Sequence, residues 1–398
     1  MGLKIEETQN KENVKSFAFF ALGFRPFFFF AAIFSLLIIS FSLVQFSENI
    51  ILSSYYTLIG WHAHEMLFGY TVAVIAGFLL TAVGNWTGIK MINGWQLILV
   101  SIVFVMGRFS PLIPDLPHSL VALSDFAFIP LLALIISVPI IRVKQWSNFI
   151  FIPLLLAMAM ANLLVHLSAL GLMNIPIETG SRIMLYLVVL LIVIMGGRVI
   201  PFFTERGIKG VTVKKWIWIE RLSPLSIILL LVSDIIPGDQ LLTAYVALFA
   251  ALIHSIRLFG WYSNNIWQVP LIWILHVAYS WFIVGFIIQG LAIFSINESQ
   301  LAYHALTVGG IGIMTLGMMA RVSLGHTGRE MKLNNWMFLS FILINVAAVI
   351  RVIVPLIIPE NYLYSIQLAG GLWVVAFLIL VWVFTPIWIH PRIDGREG

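Results

Sequence analysis

Apolar stretches of ~20 residues recur along the whole chain, and one such stretch is enough to carry a helix across ~30 Å of hydrocarbon. Twelve are predicted, over residues 17–45, 61–84, 94–113, 119–141, 149–171, 181–203, 216–236, 240–259, 269–293, 301–323, 333–357 and 362–388. Short polar or Pro/Gly segments separate them, among them "GNWTG", "PLIPDLPHS", "NIPIETG" and "SINESQ". The expected fold is all-α: a polytopic membrane bundle of about twelve transmembrane helices within residues 17–390. Residues 1–16 and 391–398 are expected as short polar tails. A secretory signal needs a basic start, a short apolar core and a small-residue cleavage site, and the amino-terminal stretch does not read as one.

Of the 398 residues, 10% are charged and 61% hydrophobic, whereas soluble domains hold roughly 25% charged residues. The solvent of this chain is lipid. A formal net charge of +5 then reflects basic loops facing an anionic leaflet, and no nucleic-acid partner is expected. Lys and Arg gather in alternate loops. One set holds Lys4, Lys11, Lys15, Lys90, Arg142, Lys144, Arg206, Lys209, Lys214 and Lys215, then Arg321, Arg329, Lys332 and Arg392. The other holds only Arg108, Arg182 and Arg351. That bias predicts both termini in the cytoplasm and an even number of spans.

Cysteine is absent, which excludes disulfides, iron–sulfur clusters, thiolate metal sites and covalent attachment of a haem. A metal must be held by His, Met, Asp, Glu or Tyr. Given the predicted topology, His62, His64, His166 and His304 fall near the outer side, on spans two, five and ten. Neutral imidazole is the commonest metal ligand, so these four are the candidate metal-binding residues. Glu65, three past His62, is placed to orient that ring from behind, and Asn162, one turn before His166, to fix its tautomer. Tyr303 adjoins His304. His118 and His390 read as loop residues, and His326 falls in an inner loop. His254 ends span eight, and His276 lies ~10 Å into span nine at 1.5 Å per residue. His276 sits between Trp273 and Tyr279, a setting that suits aromatic packing or a ring against a flat macrocycle. Arg198 and Arg321, near the inner side, suit interface snorkelling or a carboxylate partner. Gly309, Gly310, Gly312 and Gly317 strip span ten of bulk, for close helix packing or for a macrocycle. No nucleophile elbow, phosphate loop or paired-carboxylate motif supports hydrolysis.

Five blocks are distinctive together: "GFRPFFFFAA" (23–32), "WHAHEMLFGYTVAVIAGFLLTAVGNWTG" (61–88), "GRVIPFFT" (197–204), "WILHVAYSW" (273–281) and "HALTVGGIGIMTLGMMARVSLGHTGR" (304–329). With them the chain resembles the NnrS family. The resemblance implies a bacterial inner-membrane protein that binds haem and copper and takes part in the response to nitric oxide, often alongside denitrification. A chain without cysteine suits haem b held by His, with copper held by imidazole. His276 with His254, and Arg198 and Arg321 for the propionates, form the candidate haem-binding set. Nitric oxide is small and apolar and meets such a site through the lipid; an electron donor in the membrane or the periplasm is the other expected partner. Binding without turnover, protection of other metalloproteins, and transport of copper, haem or a small anion are the alternative readings.

Overall fold

The computed structural model of the protein describes residues 17–48, 55–236, 240–294 and 298–396. The expected tail 1–16, with Lys4, Lys11 and Lys15, lies outside the described residues. All regular structure among them is helical. The long helices are α1 (Phe24–Glu48), α2 (Leu58–Thr87), α3 (Trp95–Leu112), α4 (His118–Arg142), α5 (Trp146–Ala169) and α6 (Ile177–Gly207). They continue with α7 (Ile217–Ile235), then α8 (Gln240–Trp261), α9 (Pro270–Leu291), α10 (Gln300–His326), α11 (Asn335–Ile357) and α12 (Pro359–Ile389). Eleven are long and apolar enough to cross a membrane. The remaining one, α7, is 19 residues long and carries Glu220, Arg221 and Asp234. The protein is a polytopic membrane protein, and each predicted apolar run folds as one of these helices.

Local sequence sets several helix ends. The Thr57 hydroxyl accepts from the Gly60 N–H at 3.0 Å and Asn334 Oδ1 from the Met337 N–H at 2.8 Å, each satisfying a donor that a first turn leaves open. Gly88, at φ 68°, closes α2 with its N–H on the Gly84 carbonyl, a backbone position that glycine takes without strain.

Burial sorts the helices into a centre and a shell. Of the apolar stretch of α2, 89% is buried inside the bundle, and of α10, 78%; for α1, α4, α8 and α12 the share is 39%. So α2 and α10 form the axis, joined by a hydrogen bond between the Tyr70 and Thr315 hydroxyls. The shell closes where the chain begins and ends. The Ala18 N–H donates to the Ile389 carbonyl at 2.8 Å, and Arg25 Nη1 donates to the carbonyls of Ile387, Trp388 and His390 at 3.1, 2.9 and 2.7 Å. We call this face the tail end and the opposite face the far end. Exposed tryptophans mark the tail end: Trp95, Trp146, Trp216, Trp218, Trp267 and Trp336 all lie at or beside the first turns of odd-numbered helices. Indole rings favour the headgroup level.

Both axial helices contain an irregular segment. In α2 the turn after His64 widens to π-helix over Glu65–Thr71; in α10 the turn after His304 does so over Ala305–Gly312. Such segments are rare and shift the register of everything before them. The Thr71 hydroxyl donates to the carbonyl five residues back, on Met66, at 2.8 Å. The glycines of α10 are filled from outside. A Cβ on Gly309, Gly310 or Gly312 would collide with Trp281, Phe282 or Trp373, so these three glycines serve ring-on-backbone packing against α9 and α12, and the space beside them is taken by those rings.

Candidate metal centre

At the far end, His64 of α2, Asp125 of α4 and His166 of α5 bring one ligand atom each to within 4.8 Å of one another. Asp125 Oδ2 stands between the two rings, 3.0 Å from His64 Nε2 and 2.8 Å from His166 Nε2. Around this trio sit Glu65 and Arg108. The Arg108 guanidinium donates to Glu65 Oε1 and Oε2 at 3.0 and 3.1 Å and pairs with Asp125. None of the five is more than 5% exposed. A single charged side chain costs about 2.5–3.5 kcal/mol at the centre of a membrane helix, so three together persist only by pairing.

Two glycines make the arrangement fit. A Cβ on Gly107 would lie 2.9 Å from the Asp125 Cα, and one on Gly69 would lie 3.0 Å from Glu65 Oε2 and 3.3 Å from Arg108 Nη1. Without side chains there, α3 approaches α4 and the guanidinium reaches both carboxylates.

The hydrogen bonds constrain the rings. His64 Nδ1 lies 3.1 Å from Glu65 Oε1, and an ionised carboxylate only accepts, so Nδ1 carries the proton. Nε2 is then bare, yet it faces Asp125 Oδ2. Two lone pairs at 3.0 Å require a positive centre between them, either a second proton or a metal ion. His166 is fixed from both sides, with Nδ1 2.9 Å from the Tyr55 hydroxyl and Nε2 on Asp125. With neutral imidazoles, two carboxylates against one guanidinium leave a net charge of −1, which favours a cation. The His64 ring is also clamped between Tyr56 and Phe68, with centroids at 4.7 and 4.8 Å. Asn162 Oδ1 and the Tyr56 hydroxyl lie 3.4 and 3.3 Å from His64 Nε2.

A family model described as NnrS protein matches residues 18–392, nearly the whole chain. The chain belongs to the NnrS family. No curated protein matches it.

In this NnrS-family chain the four histidines predicted to bind metal fall into two groups. His64 and His166 meet at Asp125. His62 turns the other way, Nδ1 2.8 Å from the Ser42 hydroxyl, in electrostatic reach of His304 and Arg351. His304 Nδ1 donates to the Gln300 carbonyl at 2.8 Å, leaving Nε2 to accept from Arg351 at 3.2 Å. A guanidinium at that nitrogen disfavours a cation there. Glu65 supports His64 rather than His62, and Asn162 lies nearer His64 than the ring one turn along its own helix. Tyr303 points to Asp234, its hydroxyl 3.4 Å from Oδ2. Sequence reasoning passed over Asp125, Arg108, Tyr55 and Tyr56. The signal for the first two was present, since an ionisable residue inside an apolar run is itself a pointer to a site.

At the tail end, His254 Nδ1 lies 2.6 Å from the Tyr279 hydroxyl and Nε2 3.3 Å from the Ser226 hydroxyl. Arg257 links this pair to the Val193 carbonyl and to Glu220. His276 faces carbonyls on both sides, Ile272 at 3.1 Å and Trp261 at 3.4 Å. Arg198 donates to Asn148 Oδ1 and the Ser147 carbonyl at 2.7 and 2.8 Å. Arg321 stacks on Phe203, 3.6 Å from the ring centroid.

Proposed function

We propose that this chain is a haem- and copper-containing protein of the nitric oxide response in the bacterial inner membrane. In this reading His64, Asp125 and His166 hold a redox-active metal ion, and nitric oxide is its ligand. The observation that carries the reading is the convergence of His64 Nε2, His166 Nε2 and Asp125 Oδ2 in one buried cluster, with Glu65 on His64 Nδ1. Two imidazoles and a carboxylate suit copper, and the same trio is the facial set of ferrous iron, so the identity of the ion belongs to the test.

The side chains divide the work. Glu65 holds the His64 proton on Nδ1 and so presents Nε2 to the ion; Tyr55 orients His166 in the same way. Arg108 balances the carboxylates, and Tyr56 and Phe68 keep the His64 ring from turning. A bound redox ion supplies an open coordination position for a diatomic ligand. Nitric oxide reaches it from the hydrocarbon without a polar path.

The test is metal analysis and paramagnetic resonance of the purified protein, before and after nitric oxide. About one ion per chain is expected at this site, with a spectrum that nitric oxide alters and that His166→Ala abolishes. Equal metal content in the wild type, His64→Ala and His166→Ala would refute the site. Loss of nitric oxide beyond stoichiometry with an added electron donor would separate turnover from sequestration and from protection of other metalloproteins. Stoichiometric uptake of copper or an anion into proteoliposomes would favour transport.

A further inference from the structure

A cavity of about 360 Å³ lies at the tail end between α2, α6 and α10. It adjoins an apolar chamber of about 80 Å³ nearer the middle of the bundle, and Phe78, Met195, Val199 and Met318 line both. The larger space falls within the ~300–1,000 Å³ of small-molecule and cofactor sites. Its walls are Phe78, Trp86, Phe202 and Phe203, with Asn85, Arg198 and His326 on the lining as polar groups. We infer that a metalloporphyrin occupies this cavity, with His326 as the axial ligand of its iron and Arg198 against its propionates. The inference rests on the haem content put forward under Proposed function and moves the site away from His254 and His276.

Three observations select His326. First, its ring has no hydrogen-bond partner among the described residues; its aromatic neighbour is Phe24, with centroids 5.9 Å apart. By contrast, His254 and His276 each have both ring nitrogens engaged. An iron at His254 or His276 must displace the partner of whichever ring nitrogen it takes, and at His326 none. Second, the backbone of His326 is held where α10 ends, because Arg392 Nη1 donates to its carbonyl at 2.9 Å. The ring therefore projects from a fixed point.

Third, the charge and shape suit a flat, amphiphilic anion. Aromatic faces line the interior, and one guanidinium stands at the exposed rim. Arg198 spends two of its five N–H donors on Asn148 and Ser147, so the rest of the fork remains for a carboxylate. The tail end is also the headgroup level marked by the tryptophans, where propionates meet water. With no cysteine in the chain, the group is held by coordination and packing alone, as a haem b.

The experiment titrates haemin into full-length protein purified from haem-depleted cells and follows the Soret band. Wild type takes up about one haemin per chain. His326→Gly is expected to lower affinity about tenfold or more, since even the loss of a ligand's outer partner costs about 10–100-fold, and millimolar imidazole to restore the band. Ala82→Trp, which fills the cavity and leaves His326 in place, should block uptake while the protein still elutes as a folded species. His254→Ala and His276→Ala should bind as the wild type does. If wild type takes up no haemin, the haem reading itself falls. If wild type binds but His326→Gly and Ala82→Trp bind equally well, or if the band is lost in His276→Ala or His254→Ala instead, the haem reading stands and this placement is overturned.

Discussion

Asp125 Oδ2 is shared by two imidazoles, and the consequences of that sharing are readable one side chain at a time. In the proposed site Glu65 acts on an ion only through His64. Glu65→Gln keeps the shape but no longer fixes the proton on Nδ1, and the expected result is a metal affinity ~10–100-fold weaker with the fold retained. Competition with a chelator of known affinity measures it; an unchanged affinity would mean that Glu65 serves only Arg108. Removing Arg108 acts on stability. Arg108→Met leaves two buried carboxylates without their guanidinium, and breaking a buried pair from one side costs ~3–5 kcal/mol. Thermal unfolding in detergent should show a clear fall for Arg108→Met, and a smaller one when Asp125→Asn is added to it. These residues also show how far the sequence could be read. His64, His166, Glu65 and Asn162 stood out because polar groups are rare in apolar runs. Their mutual arrangement did not, because depth along a helix says nothing about which neighbour a side chain faces. His62 and His304 share that depth, and yet one turns to Ser42 and the other to Arg351.

The π segment of α2 decides which way its first turns face. Residues 62 and 64 are two apart and lie on different helical faces, so only one of them meets the trio. Deleting one residue within Glu65–Thr71 restores ordinary helical bonding and rotates Leu58–His64 by about 100° against the rest of α2. Such a deletion is expected to abolish metal binding while circular dichroism keeps its helical signal; retained metal would show that the π register does not aim His64. In α10 the same irregularity accompanies glycines that admit aromatic rings. Gly312→Leu drives a side chain into Trp373 and should cost at least the ~1–3 kcal/mol typical of overpacking, read as a lower unfolding temperature. The existence of these helices was legible from their apolar runs, and α7 was legible despite three charges. The π segments were not, because no composition marks a widened turn, and helix adjacency was not, because a uniformly apolar span shows no preferred face.

Across the whole molecule, the bundle is a ring closed on itself around α2 and α10, with the His64–Asp125–His166 cluster at one end and the cavity beside His326 at the other. The closure depends on contacts between the two extremes of the chain. Arg25→Leu removes a donor from the last carbonyls of α12, and the expected effect is faster amide hydrogen exchange over residues 387–393, with the far-end His64–Asp125–His166 cluster unaffected. Exchange at the wild-type rate would show that packing of α1 on α12 suffices. Arg25 also has an implication for synthesis. Its acceptors on α12 lie 362 to 365 positions later in the chain, and a ribosome adding ~5–20 residues per second needs roughly 20–70 s to reach them. For that interval the nascent protein carries an early cation whose final acceptors have not been translated. The ring is sealed only when the last helix emerges, so a stalled or prematurely stopped message leaves a seam open from top to bottom.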